Sequence, residues 1–411
     1  MSDLFARVAA RIENYVDEMV EFQTELVACL AVGPKNGGPG EAVKAEVAKK
    51  WFLNLKPAEV LDINAPDETV EAGFRPNLVA LFKGRSERKV WVLSHLDIVP
   101  EGERKLWDSD PFVLRREGDR IYGRGVEDNH QGLVSSFFGL KALIDEGIVP
   151  DFSVGLIFVA DEETQSVFGL RHVLEARGDL FSPEDLIIVP DAGAPDGTMI
   201  EIAEKSGFWL KFTVHGKQCH GSVPQLGINT LRASARMITA IDQMLNTTYT
   251  DRDELFRPSV STFEPTKKEA NVPNINTIPG EDIFYFDCRV LPHYDLDEIQ
   301  AKIQQEIDKV AAETGVTVQF DLVSKERAPA ATPMDSPVVE ALIRAIKTVH
   351  DREARPMGIG GGTVAKFFRQ KGLPAAVWST TDSTAHSPNE YCLLPNLVAD
   401  AKVFAHVYLG L

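Results

Sequence analysis

The chain has 411 residues, 44% of them hydrophobic and 25% charged, so it is long enough for two globular domains with sizeable cores. Asp and Glu number 61 against 43 Lys and Arg, and the resulting net charge of −18 disfavours nucleic acids and anionic membranes as partners. The four cysteines are scattered, which argues against a disulfide framework or a thiolate zinc site. The N-terminus has no apolar signal-peptide core, and the apolar runs are too short to span a bilayer. We therefore expect a cytoplasmic protein with reduced thiols.

In the first half of the chain, helices and strands alternate after a Gly- and Pro-rich break at 33–40. The predicted helices span 3–30, 41–55, 129–146 and 168–177, and the predicted strands span 59–63, 77–82, 89–93, 121–122, 152–160 and 186–189. This alternation is typical of a largely parallel sheet with helices on both faces.

Near Ala203 the pattern changes to a β-α-β-β-α-β order, which is typical of a ferredoxin-like module. Its predicted elements are a strand at 208–214, a helix at 230–245, strands at 275–278 and 283–290, a helix at 296–312 and a strand at 316–323. The α/β pattern then resumes, with helices at 337–350 and 363–370, a strand at 375–379 and a helix after Pro395. We expect a main domain in two parts, 1–203 and 327–411, with an inserted domain at 204–326.

Acidic or histidine residues follow four of the predicted strands. The residues are His95 and Asp97, Glu127 and Asp128, the run Asp161-Glu162-Glu163, and Asp191. The carboxyl ends of parallel strands meet in one crevice, where crowded carboxylates raise one another's pKa or require a cation. Each feature alone has an ordinary explanation: a solvated turn, a helix cap at Asp128, or a solvated loop histidine at His386. Together they predict a metal site.

Five motifs in this order resemble those of the co-catalytic di-zinc amidohydrolases and exopeptidases. That family contains succinyl-diaminopimelate desuccinylase, acetylornithine deacetylase, carboxypeptidase G, aminoacylases and several dipeptidases. The motifs are Ser94-His95-Leu96-Asp97-Ile98-Val99-Pro100, Gly123-Arg124-Gly125-Val126-Glu127-Asp128, Asp161-Glu162-Glu163, Pro190-Asp191-Ala192-Gly193 and His386. The resemblance covers nearly the whole chain. It implies an α/β catalytic domain with a mostly parallel sheet, of the phosphorylase/hydrolase-like zinc exopeptidase type, with an inserted α+β ferredoxin-like lid and dimerisation domain.

The resemblance also implies two divalent metal ions, zinc in preference to cobalt or manganese, which the same ligand types accept. The implied ligands are His95, Asp128, Glu163, Asp191 and His386. Asp128 would be shared, His95 and Asp191 would complete one ion's shell, and Glu163 and His386 the other's. Asp97 would orient His95, and Glu162 would be the general base that moves a proton from water to the leaving amine.

In the inserted domain, His220 matches a family histidine that reaches the scissile carbonyl oxygen, often from the partner subunit of a homodimer; a structural role is the alternative. Asn276 and Arg289 match positions that hold a substrate carboxylate. An internal ion pair with Asp287 is the alternative for Arg289. The Gly361-Gly362 turn would present backbone N–H groups to the substrate.

The implied activity is metal-dependent hydrolysis of an amide bond in an N-acyl amino acid, as in a desuccinylase or deacetylase. The alternative is a dipeptidase or carboxypeptidase-like exopeptidase acting on short peptides. A non-catalytic metal-binding homologue is a third hypothesis, which the intact Glu162 disfavours. The chain departs from many members at Val364, after the Gly-Gly-Thr turn, and at Asn129-His130-Gln131-Gly132, after the shared aspartate. These departures leave the substrate open.

Overall fold

The computed structural model describes residues 3–411, so the first two residues of the predicted 1–203 segment lie outside it. The described chain forms two compact units. The first comprises the residues up to Ile202, Ala331–Pro356 and Thr363–Leu411, and the second comprises Ala203–Ala330 and Met357–Gly362. The lid and dimerisation roles expected of the inserted domain stay predictions.

Ten α-helices, α1 to α10 in chain order, lie within residues 3–411. They are Asp3–Glu13, Val16–Val27, Ala42–Asn54, His130–Asp145, Leu170–Arg177, Thr230–Thr248, Leu296–Thr314, Pro337–His350, Ala365–Gln370 and Leu394–Tyr408. Helix α7 shows why a helix begins and ends where it does. The side chain of Asp295 accepts the backbone N–H of Asp297 at its start, and Gly315 closes it in the left-handed conformation at φ +73°. No helix in the described range has the length and apolar composition needed to cross a bilayer.

The same range contains nineteen β-strands or short strand segments, β1 to β19 in chain order. They are Glu59–Asp62, Ala65–Pro66, Phe74–Arg75, Leu78–Phe82, Ser86–His95, Arg115–Glu117, Arg120–Tyr122, Phe152–Val159, Leu186–Val189, Met199–Glu204, Ser206–His215, Cys219–His220, Thr262–Lys268, Thr277–Ile278, Glu281–Val290, Thr317–Glu326, Arg355–Ile359, Ala375–Val377 and Tyr391–Leu393.

The central sheet has eight strands in the order β1-β4-β8-β5-β9-β18-β10-β17. Its four middle strands, β8, β5, β9 and β18, run parallel. Strands β1 and β4 on one side and β10 on the other pair antiparallel with their neighbours. The middle strands are continuous buried apolar runs because helices cover both faces. One face packs on α5 and α9, and α4 and α10 contact the sheet from the other helical layer. The predicted α/β fold class is confirmed.

The central sheet differs from the prediction in two details. The strand at Ile121–Tyr122 belongs to a small antiparallel sheet of order β19-β7-β6 and not to the central sheet. Strands β10 and β17, which extend the central sheet, were not predicted. Strand β10 was hidden by the acidic Glu201, whose buried carboxylate is paired with Arg369 at 2.8 Å. A distant partner thus makes an acidic residue compatible with the core.

The second unit contains a four-stranded antiparallel sheet of order β13-β15-β11-β16, with α6 and α7 packed on one face. This is the predicted ferredoxin-like arrangement. Its second strand, however, is Thr262–Lys268. Of the predicted strand at Ile275–Ile278, only Thr277–Ile278 forms a strand, and it lies outside this sheet. Residues Thr277–Ile278 pair only with Cys219–His220. Strand β13 escaped prediction because it is an exposed edge strand that contains Pro265 and two lysines.

A pH-dependent contribution to stability arises where α10 packs on α1. His406 is 4% exposed, and its ring lies edge-on to Phe5 at 5.0 Å between centroids. Burial, reinforced by the charge of Arg344, lowers the pKa of His406 to about 4. An unfolded histidine titrates near 6.5, so between these values the unfolded chain binds more protons than the folded one.

The contribution of neutral His406 to the free energy of unfolding should therefore be present above about pH 6.5 and be lost as the pH falls toward about 4. The loss should be about 2 kcal/mol at pH 5. The free energy of unfolding of the variant His406→Gln should fall less between pH 7 and pH 5 than that of the parent chain, by about this amount. Denaturant unfolding of both chains at the two pH values measures it. Equal pH differences in the two chains would contradict the prediction.

Candidate metal centre

Three adjacent parallel strands deliver most of the candidate site. His95 is the last residue of β5, Glu162 and Glu163 follow β8, and Asp191 follows β9. Since β8, β5 and β9 are neighbours in that order, their carboxyl ends place these side chains at one edge of the sheet.

The remaining two candidate ligands come from outside the central sheet. Asp128 lies two residues before α4, and His386 lies in the loop between β18 and β19. One carboxylate oxygen of Asp128 is 2.8 Å from Nε2 of His95, and its other oxygen is 3.2 Å from Nε2 of His386. Nε2 of His386 is also 3.1 Å from a carboxylate oxygen of Glu163. Asp128 therefore lies between two sets of donors and faces each with a different oxygen.

The donor atoms form two overlapping groups. One contains His95, Glu162 and Asp191, the other contains His95, Asp128 and Glu163, and within each group the donor atoms lie within 4.8 Å of one another. Nε2 of His95 is 3.3 Å from an oxygen of Asp191. Imidazole nitrogens and carboxylate oxygens are ligands that zinc, cobalt and manganese accept, so the chemistry of this donor set fits a divalent ion.

The electrostatics of the cluster favour a cation. Burial and the charge of Asp191 raise the pKa of Glu162, and burial and the charge of Asp128 raise that of Glu163. Hydrogen bonds to Asp128 and Glu163 raise the pKa of His386 to about 10. Burial opposes the charge on His95, but contacts with carboxylates outweigh it and raise the pKa of His95. These shifts reflect negative charge concentrated in a poorly solvated place, which a divalent ion would offset.

Asp97 makes different contacts from those predicted. Nδ1 of His95 is 2.9 Å from the backbone carbonyl oxygen of Asp97 and 3.7 Å from its carboxylate. The carboxylate instead accepts the backbone N–H groups of Glu162 and Glu163, both at 3.0 Å. Asp97 thus orients His95 through its carbonyl group and holds the turn that carries the two glutamates.

Asn129 is a site residue whose role the sequence did not reveal. Its side-chain amide donates to the carbonyl oxygen of Pro190 at 2.6 Å and to the carboxylate of Asp191 at 3.1 Å. Gly132 allows this close approach, because a Cβ there would lie 2.4 Å from Cγ of Pro190. In the sequence, this segment stands out only as a departure from the family pattern. An asparagine before a helix is common as a cap, so it carried no separate signal.

The other predicted site residues belong to the second unit. His220 is exposed, with Nδ1 2.8 Å from the hydroxyl of Ser222. Asn276 accepts a hydrogen bond from Asn274. Arg289 makes two hydrogen bonds to Asp287, at 2.7 and 3.1 Å, so the alternative ion pair is present. Gly361 and Gly362 lie in the turn before α9. Their roles toward a substrate stay predictions.

Comparisons with known proteins give matches over most of the chain. A model of peptidase family M20/M25/M40 matches residues 91–409, a span that includes all five candidate ligands. An uncharacterized metallohydrolase of Methanococcus maripaludis is 40% identical over 417 residues, which cover 96% of this chain and 100% of the relative. A succinyl-diaminopimelate desuccinylase of Nautilia profundicola is 29% identical over 317 residues, which cover 76% of this chain and 81% of the relative.

Solved structures give the same fold. Human carnosine dipeptidase 1 superposes with a TM-score of 0.80 at 18% identity, covering 99% of this chain and 98% of that one. An M20 family metallo-carboxypeptidase from Sulfolobus solfataricus superposes with a TM-score of 0.72 at 20% identity, covering 96% of this chain and 100% of that one.

Proposed function

The chain belongs to peptidase family M20/M25/M40 and is a metal-dependent hydrolase, and we propose that it cleaves the amide bond of an N-acyl amino acid with two divalent ions and Glu162 as general base. The observation that carries the proposal is the position of Asp128, whose two oxygens face His95 and His386 separately. A carboxylate placed in this way suits a ligand shared between two ions.

In the proposed reaction, two bound ions, zinc in preference to cobalt or manganese, would polarise the scissile carbonyl and lower the pKa of the attacking water. Glu162 takes the proton from that water and delivers it to the nitrogen of the leaving amine. The backbone N–H of Glu162 donates to the carboxylate of Asp97 and so holds the turn. The side chain of Glu162 therefore stays beside His95 and Asp191. The buried Asn129 amide keeps Asp191 oriented.

The family resemblance assigns substrate contacts to five further residues. His220 would donate to the carbonyl oxygen on which negative charge develops. Asn276 and Arg289 would hold the free carboxylate, with Arg289 shared between the substrate and Asp287. Backbone groups of Gly361 and Gly362 would complete the contact. We further propose a homodimer formed through the inserted domain. We also propose a cytoplasmic location, and the four free cysteines support that location.

The second candidate is a dipeptidase or carboxypeptidase-like exopeptidase for short peptides. It is supported by the similarity of fold to a carnosine dipeptidase and a metallo-carboxypeptidase. The first candidate is favoured by the desuccinylase relative, whose sequence identity is higher. A non-catalytic metal-binding homologue is disfavoured because a base beside the ligands has no use without turnover.

Removal of metal is expected to abolish hydrolysis, and added zinc, cobalt or manganese should restore it. The test uses purified protein treated with a chelator, then assayed with each metal on N-succinyl amino acids, N-acetyl amino acids and dipeptides. Preferred hydrolysis of one acylated class supports the first candidate, and preferred hydrolysis of dipeptides supports the second. Two bound ions without turnover on any substrate would support the non-catalytic hypothesis.

A further inference from the structure

Two buried glutamates connect the segments that carry Asp128 and His386. We call residues 123–128 the Asp128 turn and residues 380–390 the His386 loop. Glu127 belongs to the turn and is 5% exposed; Glu390 belongs to the loop and is 1% exposed. Neither carboxylate is in the two donor groups of the metal centre.

Within residues 3–411, the hydrogen bonds that the carboxylate of Glu127 accepts all come from the His386 loop. One carboxylate oxygen accepts the backbone N–H of Asp382 at 2.6 Å. The other accepts the backbone N–H and the hydroxyl of Thr384, the latter at 2.8 Å, and the backbone N–H of Ala385 at 3.0 Å. The last of these donors is the residue immediately before His386.

Glu390 makes the reciprocal set of contacts. One oxygen accepts the backbone N–H groups of Glu127 at 3.0 Å and Asp128 at 3.1 Å. The other accepts the backbone N–H of Gly125 at 3.0 Å and the guanidinium of Arg124 at 2.8 Å. Each segment therefore offers a carboxylate that accepts three backbone N–H groups and one side-chain donor from the other segment.

The His386 loop needs such an anchor. Three of its residues that are not glycine, Ser383, His386 and Asn389, have φ of +60°, +61° and +56°. Residues with side chains adopt this left-handed conformation at a cost, and they persist there when surrounding contacts determine the backbone. Ser383 and His386 are each adjacent in sequence to a residue whose backbone N–H donates to Glu127.

We propose that Glu127 and Glu390 are positioning residues that form a reciprocal clamp and set the separation of His386 from Asp128. This inference rests on the proposed two-metal hydrolase. The two glutamates have different consequences. Glu127 holds only the loop that carries His386, so it serves the ion bound by Glu163 and His386. Glu390 holds the backbone of Asp128, which both ions share.

The clamp is tested by cobalt binding, using equilibrium dialysis and the visible absorption of the bound ions. The parent chain should bind two equivalents. Glu127→Gln keeps the size of the side chain but turns an acceptor into a donor that faces N–H groups. It should keep one tightly bound ion and weaken the second about 10- to 100-fold. Glu390→Gln should weaken both ions. Glu117→Gln, at an exposed position, is the matched control and should behave like the parent.

Two further measurements separate positioning from general loss of structure. Thr384→Val removes the hydroxyl that bonds Glu127 and the backbone of Tyr391. It should weaken the same single ion by a smaller factor, and it serves if Glu127→Gln does not fold. Excess cobalt should restore the second absorption band and the turnover of Glu127→Gln. Unchanged binding of both ions, or an equal loss of both, in Glu127→Gln would overturn the clamp. A parent chain that binds fewer than two ions would overturn the proposed function and the clamp with it.

Discussion

The Glu162→Gln variant is expected to bind metal like the parent chain and to hydrolyse substrate about 10²- to 10⁴-fold more slowly. Glutamine has nearly the same shape as glutamate. The hydrogen bond from the backbone N–H of residue 162 to the Asp97 carboxylate does not depend on the side chain of residue 162. The amide cannot accept the proton that the attacking water must lose. The proposed mechanism therefore predicts a loss of kcat with the metal content preserved.

The measurements for Glu162→Gln are kcat, KM and metal content under metal-saturating conditions. Glu175→Gln, at an exposed position on α5, is a suitable control and should match the parent. Because Glu162 shares a donor group with His95 and Asp191, a loss of bound metal would identify it as a ligand. Retained activity would remove it from the role of base.

The Arg75→Ala variant is expected to lose about 3–5 kcal/mol of folding stability. Arg75 is 1% exposed and donates two hydrogen bonds to the buried carboxylate of Glu41, one of them at 2.6 Å. Its guanidinium also lies 3.6 Å from Asp67 and 3.8 Å from Asp161. Removing the guanidinium leaves three carboxylates in the interior without the cation that compensates them. Asp161 directly precedes Glu162, so the substitution should also disturb the turn that carries the proposed general base.

Denaturant unfolding of Arg75→Ala beside Arg85→Ala measures this effect. Arg85 pairs with Asp151 at 2.8 Å, but the two side chains are 64% and 44% exposed, and solvent screens such pairs. The control should lose at most about 1 kcal/mol. If the two variants lost similar stability, the four-residue cluster would not be a source of stability beyond an ordinary surface pair.

The central strands were predictable because burial on both faces requires continuous apolar runs, as at Val90–Leu93 and Leu186–Val189. Strands β10 and β13 were not predicted. Strand β10 contains a glutamate whose arginine partner is far along the chain, and β13 is polar because one side of it is open. In both cases the local sequence resembles a loop, and only long-range contacts make it a strand.

The five candidate ligands were predicted from their residue types, their order and the resemblance of their motifs, and all five lie within the span that the family model matches. The contacts around them were harder to foresee. Asp97 uses its carbonyl on His95 and its carboxylate on backbone N–H groups. Backbone donors are present at nearly every residue, so a sequence does not show which of them a carboxylate will accept.

The amino-acid sequence by itself determined the fold class, the family and the chemical types of the donors, because these depend on apolar periodicity and on residues at short spacing. Only the tertiary structure decided that Asp128 faces two histidines with separate oxygens, and that Glu127 and Glu390 each hold the other's segment. The physical reason is that a buried charge must be satisfied wherever it lies, and its partners are chosen by proximity in the folded chain.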